Sequence, residues 1–155
     1  MIVVSDTTAI SNLLTVGRAD LLVRMFEKVI IPPAVWLELS AFHSEVPEWL
    51  EVVEVEDVSR IQSYRRDVHA GEAEAIALAW EIRPDWLLLD DSDGRKLAKA
   101  EGLPVLGLIG VLLLARQRGI VSEVRPVLDS LISEAGFYVS QILRNEALRL
   151  AGESE

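Results

Sequence analysis

The sequence predicts an α/β protein: a three-layer α/β/α sandwich around a central, mainly parallel sheet, with helices at its C-terminal end. Two observations lead there. Short, continuous apolar runs recur along the chain, as expected for strands buried on both faces. Segments with helical spacing or helical propensity separate those runs, as in βαβ units. No Gly/Ser-rich linker, low-complexity stretch or repeat divides the 155 residues, so one domain over 1–155 is expected. A domain of that length can bury roughly 70% of its unfolded surface.

The elements follow in order. Ile2-Val3-Val4-Ser5 is the first strand. Asp6-Thr7-Thr8 caps a helix that carries Ile10, Leu13, Leu14 and Val16 and stops at Gly17. Residues 19–27 form a second helix, with Leu21, Leu22, Met25 and Phe26 on one side. Val29-Ile30-Ile31 is the second strand, ended by Pro32-Pro33. Pro33 suits a first helical turn, and that helix runs to about His43. Residues 50–55 alternate only in part and read as a short edge strand. Residues 58–66 read as a polar helix or an ordered loop. Residues 70–81 are Ala-rich and strongly helical. Trp86-Leu87-Leu88-Leu89 is a buried strand ending at Asp90-Asp91. Residues 94–101 form a helix closed by Gly102, and Pro104-Val105-Leu106 a further strand. Three last helices cover 108–117, 124–135 and 140–150.

Composition excludes several classes. The chain has no cysteine, so disulfides, thiolate metal sites and a Cys nucleophile are ruled out. The start lacks a basic n-region, and its apolar run is too short for a signal peptide. The longest apolar stretch, 103–115, is broken by Pro104, Gly107 and Gly110 and is too short to cross a bilayer. The expected location is the cytoplasm, away from any membrane. A net charge of −10 argues against broad, sequence-independent nucleic-acid binding but leaves room for a local site. Twelve of the fifteen basic residues are arginine, the type suited to phosphate, although genome composition or thermal adaptation is the plainer account of that bias.

The acids carry the functional signal. Asp6 and the Asp90-Asp91 pair each follow an apolar strand, at the carboxyl edge where open parallel sheets bind ligands. A helix cap would explain Asp6 alone but not the equivalent position of Asp90-Asp91. Val35, Glu38, Leu39 and Phe42 share helical spacing, which puts Glu38 within an apolar stripe. Such a carboxylate needs a partner, either a cation or a nearby arginine. Glu72 lies near the face of Ala73, Ile76, Ala79 and Trp80, whereas Glu74 points towards Glu81 and solvent. Glu72 is thus the better site acid, with a helix-dipole role as its alternative. Carboxylates sharing one pocket disfavour each other's ionised form, and a divalent cation relieves that repulsion. Oxygen-only ligation points to Mg²⁺ or Mn²⁺, and phosphodiester hydrolysis is the fitting reaction. Ser5, Thr7, Thr8, Ser11 and Asn12 surround the Asp6 turn and could hydrogen-bond a phosphate or cap the helix. His43 and His69 are weaker candidates.

The strings Val3-Val4-Ser5-Asp6-Thr7-Thr8, Ile31-Pro32-Pro33-Ala34-Val35-Trp36-Leu37-Glu38-Leu39, Gly71-Glu72-Ala73-Glu74-Ala75-Ile76-Ala77-Leu78-Ala79 and Leu88-Leu89-Asp90-Asp91, then Gly107 with Gly110-Val111-Leu112, resemble the PIN-domain family. The similarity is greatest to its prokaryotic, toxin-like ribonuclease subgroup. The resemblance implies a metal-dependent endoribonuclease, the toxin of a toxin–antitoxin pair. The family's acids map onto Asp6, onto Glu38, onto Glu72 with Glu74 as rival, and onto Asp90 or Asp91, with Asp93 assisting. These would hold one or two Mg²⁺ or Mn²⁺ ions and orient the attacking water. Where the family commonly has Ser or Thr before its glycine turn, this chain has Leu108.

The resemblance also implies RNA as substrate, a small antitoxin partner and a homodimer. Thr7, Thr8, Asn12 and Arg95 are expected to contact substrate. Arg60, Arg65, Arg66, Lys96 and Lys99 are expected along the RNA backbone. The helices over about 122–151, with Leu128, Leu131, Ile132, Ile142, Leu143 and Leu150, either pack on the domain or form the dimer interface. Two other readings stand beside the enzyme. One is a catalytically silent binding module with the same fold. The other is a phosphoryl-transfer domain with Asp6 as nucleophile, weakened because no second Asp stands two residues on.

Overall fold

The structure, a computed structural model, describes residues 1–153. Five strands form one parallel sheet: β1 (Ile2–Ser5), β2 (Lys28–Ile31), β3 (Leu50–Val52), β4 (Trp86–Leu88) and β5 (Val105–Leu106). Their order is β3-β2-β1-β4-β5. The central strand β1 pairs Val4 with Ile30 of β2 on one side and with Leu87 of β4 on the other. The chain winds outward from β1 to β3, then crosses back to β4. The switch point therefore lies between β1 and β4, where a crevice opens at the carboxyl ends of the strands.

Alternation along the strands explains why both faces of the sheet are apolar. Val3, Val29, Ile31 and Leu88 join one core, packed with α1 (Thr7–Thr15), α2 (Asp20–Met25), α7 (Leu108–Gln117) and α8 (Arg125–Glu134). Val4, Ile30 and Leu87 join the other, packed with α4 (Val58–Tyr64), α5 (Ala70–Ile82) and α6 (Ser92–Ala100). Successive side chains of a strand point to opposite faces, so two helical layers require an unbroken apolar run. The remaining helices are α3 (Pro33–Phe42) and α9 (Gln141–Leu150).

Local chemistry moves several boundaries. α6 starts at Ser92 because Asp91 caps it, accepting the Gly94 N–H at 2.9 Å. α2 ends at Met25 because Phe26 is extended and leads directly into β2. β3 stops at Val52 on the sheet edge, although the Val53 N–H still reaches Ile31 O. Residues 58–64 are helical, capped by Asp57. Phe42 corrects the expected stripe of α3: it is 80% exposed, because the stripe closes at Leu39 and the helix ends one turn later. Leu128 and Leu131 lie in the chain's own core, so they are no part of a self-association surface. On α9, Ala147 and Leu148 pack inward while Ile142, Leu143 and Leu150 stay exposed. Among the described residues no helix is long and apolar enough to cross a membrane.

Candidate active site

Four elements deliver carboxyl groups to the switch point. Asp6 directly follows β1 and is 1% exposed. Its Oδ1 caps α1 by accepting the Ala9 N–H at 3.2 Å. Helix α3 presents Glu38, whose Oε2 accepts a hydrogen bond from the Thr7 hydroxyl. The first turn of α5 presents Glu72. Asp90 follows β4 and accepts the Leu108 N–H through both oxygens, at 3.2 and 3.0 Å. Asp6, Thr7, Thr8, Glu38, His69, Gly71 and Glu72 line a hollow of about 320 Å³.

The electrostatics follow from this crowding. Burial pushes the Asp6 carboxyl up to about 8; the Ala9 N–H draws it down, and Asp90, Glu72 and Glu38 raise it further. Burial also lifts Glu72 to about 7, helped by contact with the Asp91 carboxyl and by the charges of Asp91, Glu38 and Asp93. Asp90 is raised by burial, and the Leu108 N–H and the Arg95 guanidinium oppose that shift. Several acids thus compete for protons in one small volume, although they lie up to 84 residues apart in the chain.

Glycines make room for the carboxylates. A Cβ at Gly71 would stand 2.7 Å from both Glu38 oxygens. A Cβ at Gly94 would stand 2.8 Å from Glu72 Oε2, and one at Gly107 2.7 Å from Asp90 Oδ1. These three positions shape the site, and the sequence reading missed their role. Gly71 and Gly94 stand beside acids in the chain, and Gly71 and Gly107 belong to the PIN-like strings, which is the signal the sequence holds for them.

A divalent cation suits this donor set. Glu72 Oε2 is buried without a hydrogen-bond partner, which is costly for a carboxylate oxygen unless a cation faces it. The glycine cradles keep side chains away from that oxygen and from Glu38. Among the described residues, however, no three acidic or histidine side chains already stand as a closed ion cage. Each carboxylate is drawn instead to its own partner: Glu38 to Thr7, Glu72 to Asp91, and Asp90 to Leu108.

The remaining candidates separate. Thr8 is exposed and lines both the acid hollow and a larger neighbouring recess. Asn12 lines neither. Asp91 and Asp93 face a side recess with Arg65, Arg66 and His69. The Arg95 Nη1 donates to Leu89 O at 3.1 Å and lies beside Gly107. Glu74 stands apart from the hollow and is more than a solvated surface acid: it accepts the Ala34 N–H at 3.2 Å and so caps α3. Arg60 departs from its expected place along a substrate. Its guanidinium lies 3.7 Å from the Trp80 ring centroid and donates to the Tyr64 hydroxyl at 3.0 Å. Lys96 and Lys99 are exposed on α6 away from the hollow. His43 bonds Ser11 at 2.8 Å, outside the site. The Leu108 side chain is fully buried in the core, so at this turn only its backbone N–H serves the site.

Neither a search of curated proteins nor one of solved structures gives a match. The model of family DUF3368, described as a PIN domain, matches residues 2–153. That span includes every strand of the parallel sheet and every acid at its switch point. Sequence profile and architecture agree, and the chain belongs to the PIN-domain family, whose fold is a nuclease fold.

Proposed function

We propose that the chain is a metal-dependent endoribonuclease that hydrolyses RNA phosphodiester bonds and serves as the toxin of a toxin–antitoxin pair. One observation carries the reading: Asp6, Glu38 and Glu72 come from three separate elements to line one hollow, Asp90 of a fourth stands close by, and the charges of Asp90, Glu72 and Glu38 all raise the proton affinity of Asp6. An arrangement that costs the empty fold stability is characteristic of functional sites. Asp6, Glu38, Glu72 and Asp90 would hold Mg²⁺ or Mn²⁺, with Asp91 and Asp93 at the margin. The ion, when bound, supplies charge for a phosphate oxygen and lowers the pKa of a bound water.

The chain's own residues do the rest. The Thr7 hydroxyl holds the Glu38 carboxylate, and the Leu108 N–H holds Asp90. Asp6 is fixed by its cap on α1, so its free oxygen keeps one direction. Glu72 lines the hollow from the first turn of α5, and its buried, unpartnered Oε2 would face the ion there. Arg65 and Arg66 line the recess beside the acids, where phosphates flanking the cut would lie. A cytoplasmic location accords with this role. A homodimer is supported by Ile142 and Leu150, exposed on α9 away from the acid hollow.

The test is cleavage of a labelled single-stranded RNA with Mn²⁺ or Mg²⁺. Activity should vanish with EDTA and in Asp6→Asn. Equal activity in wild type and Asp6→Asn refutes the assignment. The toxin role requires that induction of the chain arrest growth and that a co-expressed neighbouring gene relieve the arrest. A silent binding module is the second reading, favoured by the lack of a closed ion cage among the described residues. Calorimetric titration separates the two: the module takes up no Mn²⁺ in this hollow. Against a phosphoryl-transfer enzyme stands the sequence itself, which has Thr8 and no second Asp two residues after Asp6.

A further inference from the structure

A recess of about 740 Å³ adjoins the acid hollow and shares Thr8 with it. Its walls differ in kind. Asp90, Asp91 and Arg95 form one side. Gly107 at the β5–α7 turn and Gly110 in the first turn of α7, with Phe137 and Tyr138 of the α8–α9 connection, lie among its other linings. Phe137 is tied down: it packs on the core, and its N–H bonds Leu131 O at 3.0 Å. Tyr138 beside it is 88% exposed. A large aromatic ring left that open on an anchored backbone is unexplained by the packing of the chain itself. The volume lies in the usual range for sites that take a small organic group.

Electrostatics indicate what the ring is for. The chain carries 25 acidic against 15 basic residues, so its overall field repels a polyanion. Arg65, Arg66 and Arg95 are the arginines lining the recesses around the acids. Counterion release from so few contacts yields weak binding. Base–aromatic stacking needs no net charge and works with every base. We infer that this recess is a nucleobase subsite, in which Tyr138 stacks on the unpaired base next to the scissile phosphate while Arg95 borders its edge. The inference rests on the nuclease reading and narrows its substrate to RNA whose base at the cut is free to leave the stack. Glycine at 107 and 110 leaves this wall free of side chains: a Cβ at 107 would press on Asp90 and Arg95, and one at 110 on Leu106.

The test uses the full chain carrying Asp6→Asn, with Mg²⁺ present, and a short oligoribonucleotide containing one 2-aminopurine. Stacking should quench its fluorescence. Tyr138→Ala, added to this chain, should abolish the quenching and weaken binding roughly tenfold, whereas Tyr138→Phe should keep both. Replacing the 2-aminopurine by an abasic nucleotide should cost about the same with Tyr138 present and little more with Ala there. Melting curves confirm that each variant folds. Unchanged affinity in Tyr138→Ala, additive losses in the cycle, or no RNA binding at all would overturn the subsite. So would a change in sedimentation without a change in RNA binding, which would make this face a protein interface. Persistent, metal-dependent cleavage by the Asp6→Asn chain would instead remove the nuclease reading from these acids. Cleavage that needs Asp6 but ignores Tyr138 removes the subsite alone.

Discussion

Replacing Asp6 by Asn should stabilise the metal-free chain at alkaline pH while abolishing its proposed activity. The Asp6 carboxyl is fully enclosed, and its proton is held up to about 8, against 3.8 when free. Each pH step between those values corresponds to about 1.4 kcal/mol of differential proton affinity. The sign follows from linkage. A carboxyl that binds its proton more tightly in the folded chain contributes most below pH 3.8, and that contribution is lost as pH rises through about 8. The upper limit near pH 8 is about 5 kcal/mol. Water entering the hollow resolvates part of the charge, so the working expectation is about 2–3 kcal/mol. Asparagine carries no charge at any pH, and its carbonyl can keep the cap on the Ala9 N–H. For a chain of this size the gain amounts to roughly 4–10 °C in melting temperature. Differential scanning calorimetry in EDTA at pH 4, 6 and 8 reads it directly. The difference between Asn and Asp should grow with pH. Added Mn²⁺ should stabilise the wild type and not the variant, through its preference for the folded state. A variant less stable than wild type at pH 8, or a difference independent of pH, would refute the electrostatic account.

Three further outcomes follow from the same geometry. Glu72→Gln should eliminate RNA cleavage, whereas Glu74→Gln should leave cleavage intact and cost about 1 kcal/mol through the α3 cap, read by denaturant melts and gel assays. Gly71→Ala places a methyl 2.7 Å from both Glu38 oxygens and should weaken Mn²⁺ uptake about 10- to 100-fold by calorimetry, with the fold retained by circular dichroism. Leu108→Ala should cost about 2–5 kcal/mol in urea unfolding, because its side chain fills the core and only its N–H serves Asp90.

Much of this architecture was legible in the chain. The apolar runs at 2–5, 29–31 and 86–89 are continuous because strands flanked by helices on both faces have no solvent side, and that demand is written residue by residue. The acids that follow β1 and β4 were legible for the same reason, since a strand end is visible as the point where apolar residues stop. Periodicity also singled out Glu72 over Glu74 as the acid facing the hollow, but it gave Glu74 no role at the N-terminus of α3. That contact joins residues 40 apart in the chain.

What periodicity could not supply is the identity of partners across the fold. Arg60 is expected from the sequence along an RNA backbone, yet its guanidinium lies over the ring of Trp80, twenty residues on, because α4 and α5 pack side by side. Phe42 fits the apolar stripe by spacing but has nothing to pack against once α3 reaches the end of its neighbours. Gly71, Gly94 and Gly107 look like ordinary glycines until carboxylates from other elements come to rest where their side chains would be. Strand and helix follow from near neighbours, through backbone sterics and burial period. The convergence of Asp6, Glu38, Glu72 and Asp90, and the proton affinity it creates, exists only after the strand order β3-β2-β1-β4-β5 brings their ends to one crevice, because both burial and repulsion depend on distance in space.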